Sequence, residues 1–249
     1  SGNVTDDVTH RDTWDLLCQL TGRRDFLYVA DSKLATRENM AYLHQRQGRF
    51  ITVLPKTRSE DAAFRSLVCR EQVTWRLLWE KTDEDGEFLD RYSVSEQPAT
   101  STEGYRLVWY HSERKAEQDD VARNGRLRRA LKELSDLRHK LQSPRTRYRQ
   151  ESKVAEAVAE ILASCGAETW LVTEIRRKEE ETFRQTHRGR PTKETQYTRK
   201  VSTRFDLTWQ IDHLRIVEEA RSDGVFPLIT NVRDLSELEL LKTYKRQPK

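Results

Sequence analysis

At 249 residues the chain can hold one large domain or two small ones, but 35% hydrophobic and 35% charged residues leave much of it as solvated surface or extended hairpin. The net charge of +4 is mild and uneven: Arg123 to Arg149 holds ten Lys or Arg against two acids, and Phe205 to Leu241 eight acids against three arginines, a layout that suits a polyanion partner. Separated Cys18, Cys69 and Cys165, scattered histidines and short apolar runs exclude a disulfide framework, a zinc hydrolase and a membrane partner, and predict a soluble cytoplasmic protein.

In chain order, Asp6 or Thr9 can cap a helix with Trp14, Leu17 and Leu20 on its apolar face and Gly22 at its end. Phe26 to Ala30 is a short continuous apolar run, the pattern of a strand buried on both faces, and it stops at Asp31. Thr36 opens a helical pattern through Met40 and Leu43, and Gly48 closes it before a second apolar run, Phe50 to Leu54. Such a β-α-β unit makes a parallel pair, and ligands of open α/β sheets sit outside the carboxyl ends of the strands, where Asp31 falls. Two readings of Asp31 stand side by side: a turn former bound to nearby backbone N–H groups, or a catalytic carboxylate at the sheet rim. Lys33 and Arg37 either face a phosphate or form an ordinary solvated first turn.

From Cys69 the periodicity changes to that of an antiparallel sheet. Val73, Trp75, Leu77 and Trp79 alternate as a half-buried strand, Asp85-Gly86 turns, Phe88 to Val94 returns, and Tyr105 to Tyr110 adds another strand. Lys115 to Leu141 reads as a long helix with Leu127, Leu131, Leu134, Leu137 and Leu141 on one stripe. Arg126 and Arg129 on it are either part of a wet face or contacts to a DNA backbone. Glu151 to Ser164 is a further helix, Trp170 to Ile175 a strand, the charged stretch beyond extends as a hairpin through Phe183, Tyr197 and Val201, and the alternation of Phe205, Leu207, Trp209 and Ile211 marks a further strand with one apolar face. Arg188 and Arg190, in R-G-R-P at its tip, resemble the core of an AT-hook, with a plain Gly-Pro turn as the simpler reading. His213 to Ala220 has helical character, Val225 to Thr230 is a strand, and Ser236-x-x-Glu239 is a capping box that opens a last helix with Leu238, Leu241 and Tyr244 on one face.

Three short stretches carry a family resemblance: V-A-D-S-K-L around Asp31, the preceding G-N-V-T-D-D-V-T-H, and the closing D-G-V-F-P-L-I-T-N with Y-K-R-Q-P. Together they resemble a DDE-type insertion-sequence transposase. The resemblance implies an α/β fold: a partial RNase H-like catalytic core over 1–68, interrupted by a largely antiparallel β plus α insertion domain over 69–231, and a return to the core with a truncated helix over 232–249. Asp31 falls on the second of three metal-binding acids. The family signature Y-x-x-R-x-x-x-E is met at Tyr244, with Gln247 in place of arginine, so Tyr244, Lys245 and Gln247 become candidate DNA contacts. The glutamate of that signature would fall beyond Lys249 and the first acid before Ser1, so a fragment inactive by itself is expected.

The implied chemistry is DNA strand cleavage and strand transfer on transposon ends and target DNA. Two Mg²⁺ or Mn²⁺ ions about 4 Å apart would be held by the carboxylates against the scissile phosphate. A homodimer is a possible assembly. The rival readings are a nucleic-acid-binding module without chemistry and an inactive transposon remnant.

Overall fold

A computed structural model describes residues 6–97, 99–186, 189–191 and 195–246. The structure is mixed α/β, with seven α-helices and a mixed sheet among the described residues. It divides into two compact units, one made of 1–120 with 219–249 and the other of 121–218.

The first unit is built on a seven-stranded sheet. Its strands are β1 (Leu27–Val29), β2 (Arg49–Val53), β3 (Trp75–Thr82), β4 (Phe88–Ser95), β5 (Ala99–Thr100), β6 (Arg106–Ser112) and β9 (Val225–Thr230). The spatial order is β1-β2-β9-β6-β4-β3, with β5 beside β6. Only the β1–β2 pair is parallel, as the β-α-β reading requires, with Tyr28 opposite Phe50. Because the central strands are covered on both sides, their alternate residues enter two different cores. Phe50, Leu107, Trp109 and Ile229 join Trp14 of α1 (Asp6–Thr21), Met40 and Leu43 of α2 (Arg37–Gln45), and Phe64 and Val68 of α3 (Ser59–Cys69). Ile51, Val108, Tyr110 and Leu228 point the other way and pack on Leu240 and Leu241 of α7 (Glu237–Lys245).

Local signals place several ends. Thr36 caps α2 through the Asn39 N–H, and Ser236 with Glu239 forms the reciprocal capping box of α7. Three sequence expectations need correction. Leu20 is 73% exposed, so the buried face of α1 is carried by Trp14 without it. Leu77 faces solvent because a bulge between Leu77 and Trp79 breaks the alternation of β3. β1 spans three residues, all half-buried, because it is the sheet's edge and has one neighbour only. The antiparallel strands after Cys69 pair through β9 into the same sheet as β1 and β2, so the sheet does not divide at residue 69.

The second unit packs the long helix α4 (Glu113–Gln142), from its residue 121 onward, with α5 (Glu151–Cys165) and the hairpin of β7 (Leu171–Gln185) and β8 (Tyr197–Ile211). Leu134, Leu137 and Leu141 of the expected stripe are buried with Val154, Val158 and Leu162, and with Leu171, Phe205 and Leu207 from the base of the hairpin. Gly166 ends α5 in the left-handed region, at φ 59°, which glycine enters at no steric cost. The helix α6 (His213–Ala220) leads back toward β9 in the chain.

Candidate functional site

Asp31 follows β1 directly, at the carboxyl end of the parallel pair. The Ala30 N–H donates to the Ile51 carbonyl, which continues the ladder one residue past β1. The Thr52 hydroxyl donates to the Asp31 carbonyl, so the main chain at this point is pinned from β2. The carboxylate caps a 3-10 turn, Ser32–Leu34, by accepting the Lys33 N–H at 3.0 Å. The turn-forming reading of Asp31 is therefore met. It does not use up the side chain, which is 66% exposed, and among the described residues no hydrogen bond takes Oδ2.

A second group reaches the same carboxylate. His10, on α1, places Nε2 3.6 Å from Asp31 Oδ1 and Nδ1 3.1 Å from the Tyr28 hydroxyl. Burial, and then the negative charge of Asp31, push the Tyr28 phenol above its ordinary range, so it stays protonated. The tautomer that satisfies both contacts has Tyr28 donating to Nδ1 and the Nε2–H facing Asp31. His10 closes the first of the resembling stretches, yet nothing in its local pattern marks it, because the contact depends on how α1 packs beside β1.

The last helix also comes within electrostatic reach. Burial raises the Tyr244 phenol, and the charge of Asp31 raises it further. Lys245, the neighbouring candidate, holds Nζ 5.2 Å from the Tyr92 ring centre and 5.0 Å from that of Phe226, a cation–π seat on the sheet. Gln247 lies outside the described residues.

The remaining candidates do not converge on Asp31. Lys33 gives its backbone N–H to the carboxylate and exposes its side chain. Arg37 reaches Glu103, with Nε 3.4 Å from Oε1, at the edge of a network in which Arg58 holds both Glu60 and Glu103. In the second unit Arg126 lies over the Trp170 ring, 4.6 Å from its centre, and Arg129 donates to the Ser164 carbonyl and contacts Cys165 Sγ. Both arginines thus serve the packing around the C-terminal end of α5. Arg190 is exposed at the hairpin tip, and Arg188 lies outside the described residues.

A divalent cation needs several oxygen ligands, and among the described residues no group of three or more His, Cys, Asp or Glu could hold one. Asp31 offers a single carboxylate, so these residues do not make up a complete metal site. Among the described residues no helix is long and apolar enough to cross a membrane. Comparison with known proteins found no matching protein family, no matching curated protein and no matching solved structure.

Proposed function

We propose that the chain belongs to the catalytic core of a DDE-type insertion-sequence transposase, RNase H-like with a β-rich insertion, which cleaves and transfers DNA strands. The observation that carries this reading is the position of Asp31. It is an exposed carboxylate delivered by an edge strand to the rim of a parallel pair, with its main chain pinned by Thr52 and its side chain flanked by His10. The rim is where open α/β sheets bind ligands, and the residues around it match the resembling stretches.

In this reading Mg²⁺ or Mn²⁺ would take Asp31 as one oxygen ligand and supply the activation of the phosphate. The described residues do not complete its shell, and the chain's own contribution is to hold the carboxylate still and open to solvent. The test is Asp31→Ala in the product of the complete reading frame. Loss of transposon-end cleavage with DNA binding retained is the expected result; unchanged cleavage overturns the reading.

A nucleic-acid-binding module without chemistry is the second reading. It is favoured by the basic run Arg123 to Arg149, ten Lys or Arg against two acids. It expects no cleavage with either residue at position 31.

A further inference from the structure

The β7–β8 hairpin runs for fifteen residues on each strand, about 50 Å at the usual rise of ~3.4 Å per residue. Its two halves differ in kind. The base, from Leu171 and Ile211 to Ile175 and Leu207, gives its apolar side chains other than Val172 to the core of the second unit. Beyond the Glu179–Thr203 pair every described β7 residue up to Arg184 is exposed, as is β8 from Tyr197 to Val201. A two-stranded ribbon with no third strand is only marginally stable in water, so an outer half of this length calls for a partner.

The charge of the ribbon is sorted along its length. The three acids Glu179, Glu180 and Glu181 are engaged by Arg177, Arg204 and Arg199 respectively. Past them, from Thr182 to Lys200, the sequence holds five Lys or Arg besides the paired Arg199, against one acid, Glu194. The pairing places Phe183, Tyr197 and Val201 on one face, since they oppose Arg199, Gln185 and Glu181. Phe183 is 62% exposed and Tyr197 52%. Arg184 and Lys200 stand on the opposite face, beside Thr198 and Thr182. A self-contained ribbon has no use for exposed aromatics on one face and unbalanced cations on the other. A polyanion with flat apolar edges uses both.

We propose that the outer half of this hairpin is an arm that lies in a groove of duplex DNA, with Arg184, Arg190 and Lys200 on phosphates and Phe183 and Tyr197 against base edges. A major groove about 12 Å wide admits a two-stranded ribbon, and apolar side chains there meet thymine methyl groups. Phosphate contacts position the ribbon, and the aromatic pair adds a preference of composition. The proposal is independent of the reading of Asp31, because it is measured by binding and no cleavage enters the readout.

The test is fluorescence anisotropy of a labelled mixed-sequence duplex titrated with the chain between 50 and 200 mM salt. The triple variant Arg184→Gln, Arg190→Gln, Lys200→Gln is compared with a control triple, Arg145→Gln, Arg147→Gln, Arg149→Gln, in the exposed loop between α4 and α5. The arm triple is expected to weaken binding at least tenfold and to flatten the slope of log K against log salt by about 2.7, three contacts at ~0.9 each. The control triple is expected to change the slope by less than half as much. Equal effects of the two triples would show that bulk charge is read, and overturn the proposal. Unchanged binding by the arm triple, with circular dichroism confirming the fold, overturns it as well. A Phe183→Ser variant that alters sedimentation of the free chain but not DNA binding would make the arm a contact between copies, which also contradicts it.

Discussion

His10 and Asp31 face each other with Nε2 3.6 Å from Oδ1, although one stands within α1 and the other just past β1. The histidine is largely buried, and Nε2 has no hydrogen-bond partner within ordinary range among the described residues. Its other nitrogen is held by Tyr28, on β1 three residues before Asp31. A ring fixed at one nitrogen presents the other at a set angle, so the carboxylate meets a positioned N–H and not bulk water alone on that side.

On the proposed transposase reading, His10→Ala should lower transposon-end cleavage about 10–100-fold, the usual scale for an outer partner that orients a ligand. Tyr28→Phe, which removes the bond behind His10, should act in the same direction and more weakly. Single-turnover cleavage rates check both. An effect confined to the thermal midpoint would give His10 a structural role only.

Asp206 links acid stability to the second unit. The Arg138 guanidinium, donating at 2.9 Å, lowers its carboxyl to about 2; burial opposes this and Lys178 reinforces it. The folded value thus lies below the ordinary 3.8, so its contribution to stability is complete above that pH and is lost as the pH falls toward about 2. Asp206→Asn should remove this dependence and cost about 1–3 kcal/mol at neutral pH, since it breaks hydrogen bonds to charged groups. Urea unfolding of both chains at pH 7 and at acid pH measures it.

Gly224 supports the start of β9. Its φ is +74°, and a Cβ added there would stand 2.4 Å from the Ser112 carbonyl oxygen, a backbone atom that cannot swing away. Gly224→Ala should cost about 2–5 kcal/mol, combining left-handed strain of ~1–2 with overpacking of ~1–3. The midpoint of chemical denaturation reads the loss.

The salt network at the starts of α2 and α3 and the β5–β6 loop (Arg37, Arg58, Glu60, Glu103) makes a contrasting case. Arg58 touches both carboxylates at 2.8 Å and is mostly buried, whereas Arg37 is largely exposed. Arg58→Ala should destabilise by about 1.5–3 kcal/mol, since it removes charge-assisted hydrogen bonds to two partly buried carboxylates that keep Thr102 and Arg37 as partners, and Arg37→Ala by ~0–1 kcal/mol. Thermal melts of the two variants separate them.

Elements whose signals are local were legible in the sequence. The Ser236–Glu239 capping box, the Thr36 cap, the apolar run of β2 and the leucine stripe of α4 each carry their cause within a few residues. What depends on distant partners was not. The bulge that turns Leu77 outward arises from the register of β3 with β4, and the exposure of Leu20 from which face of α1 meets the sheet. That β9 would join β2 to β6 across more than a hundred residues of chain has no local mark at all. α3 went unread because its apolar residues, Phe64 and Val68, are few and its N-terminal cap has no side-chain bond. At the candidate site the sequence marks Asp31 by its place after a strand, but the contact with His10 and the packing of Arg126 and Arg129 are products of tertiary structure.

The most direct measurement is Mg²⁺-supported cleavage of transposon-end DNA by the product of the complete reading frame, with Asp31 intact and with Asp31→Asn, alongside binding of the same DNA. Cleavage that disappears in the variant while the duplex is still bound is the result the account predicts. Cleavage at the same rate in both proteins would contradict it.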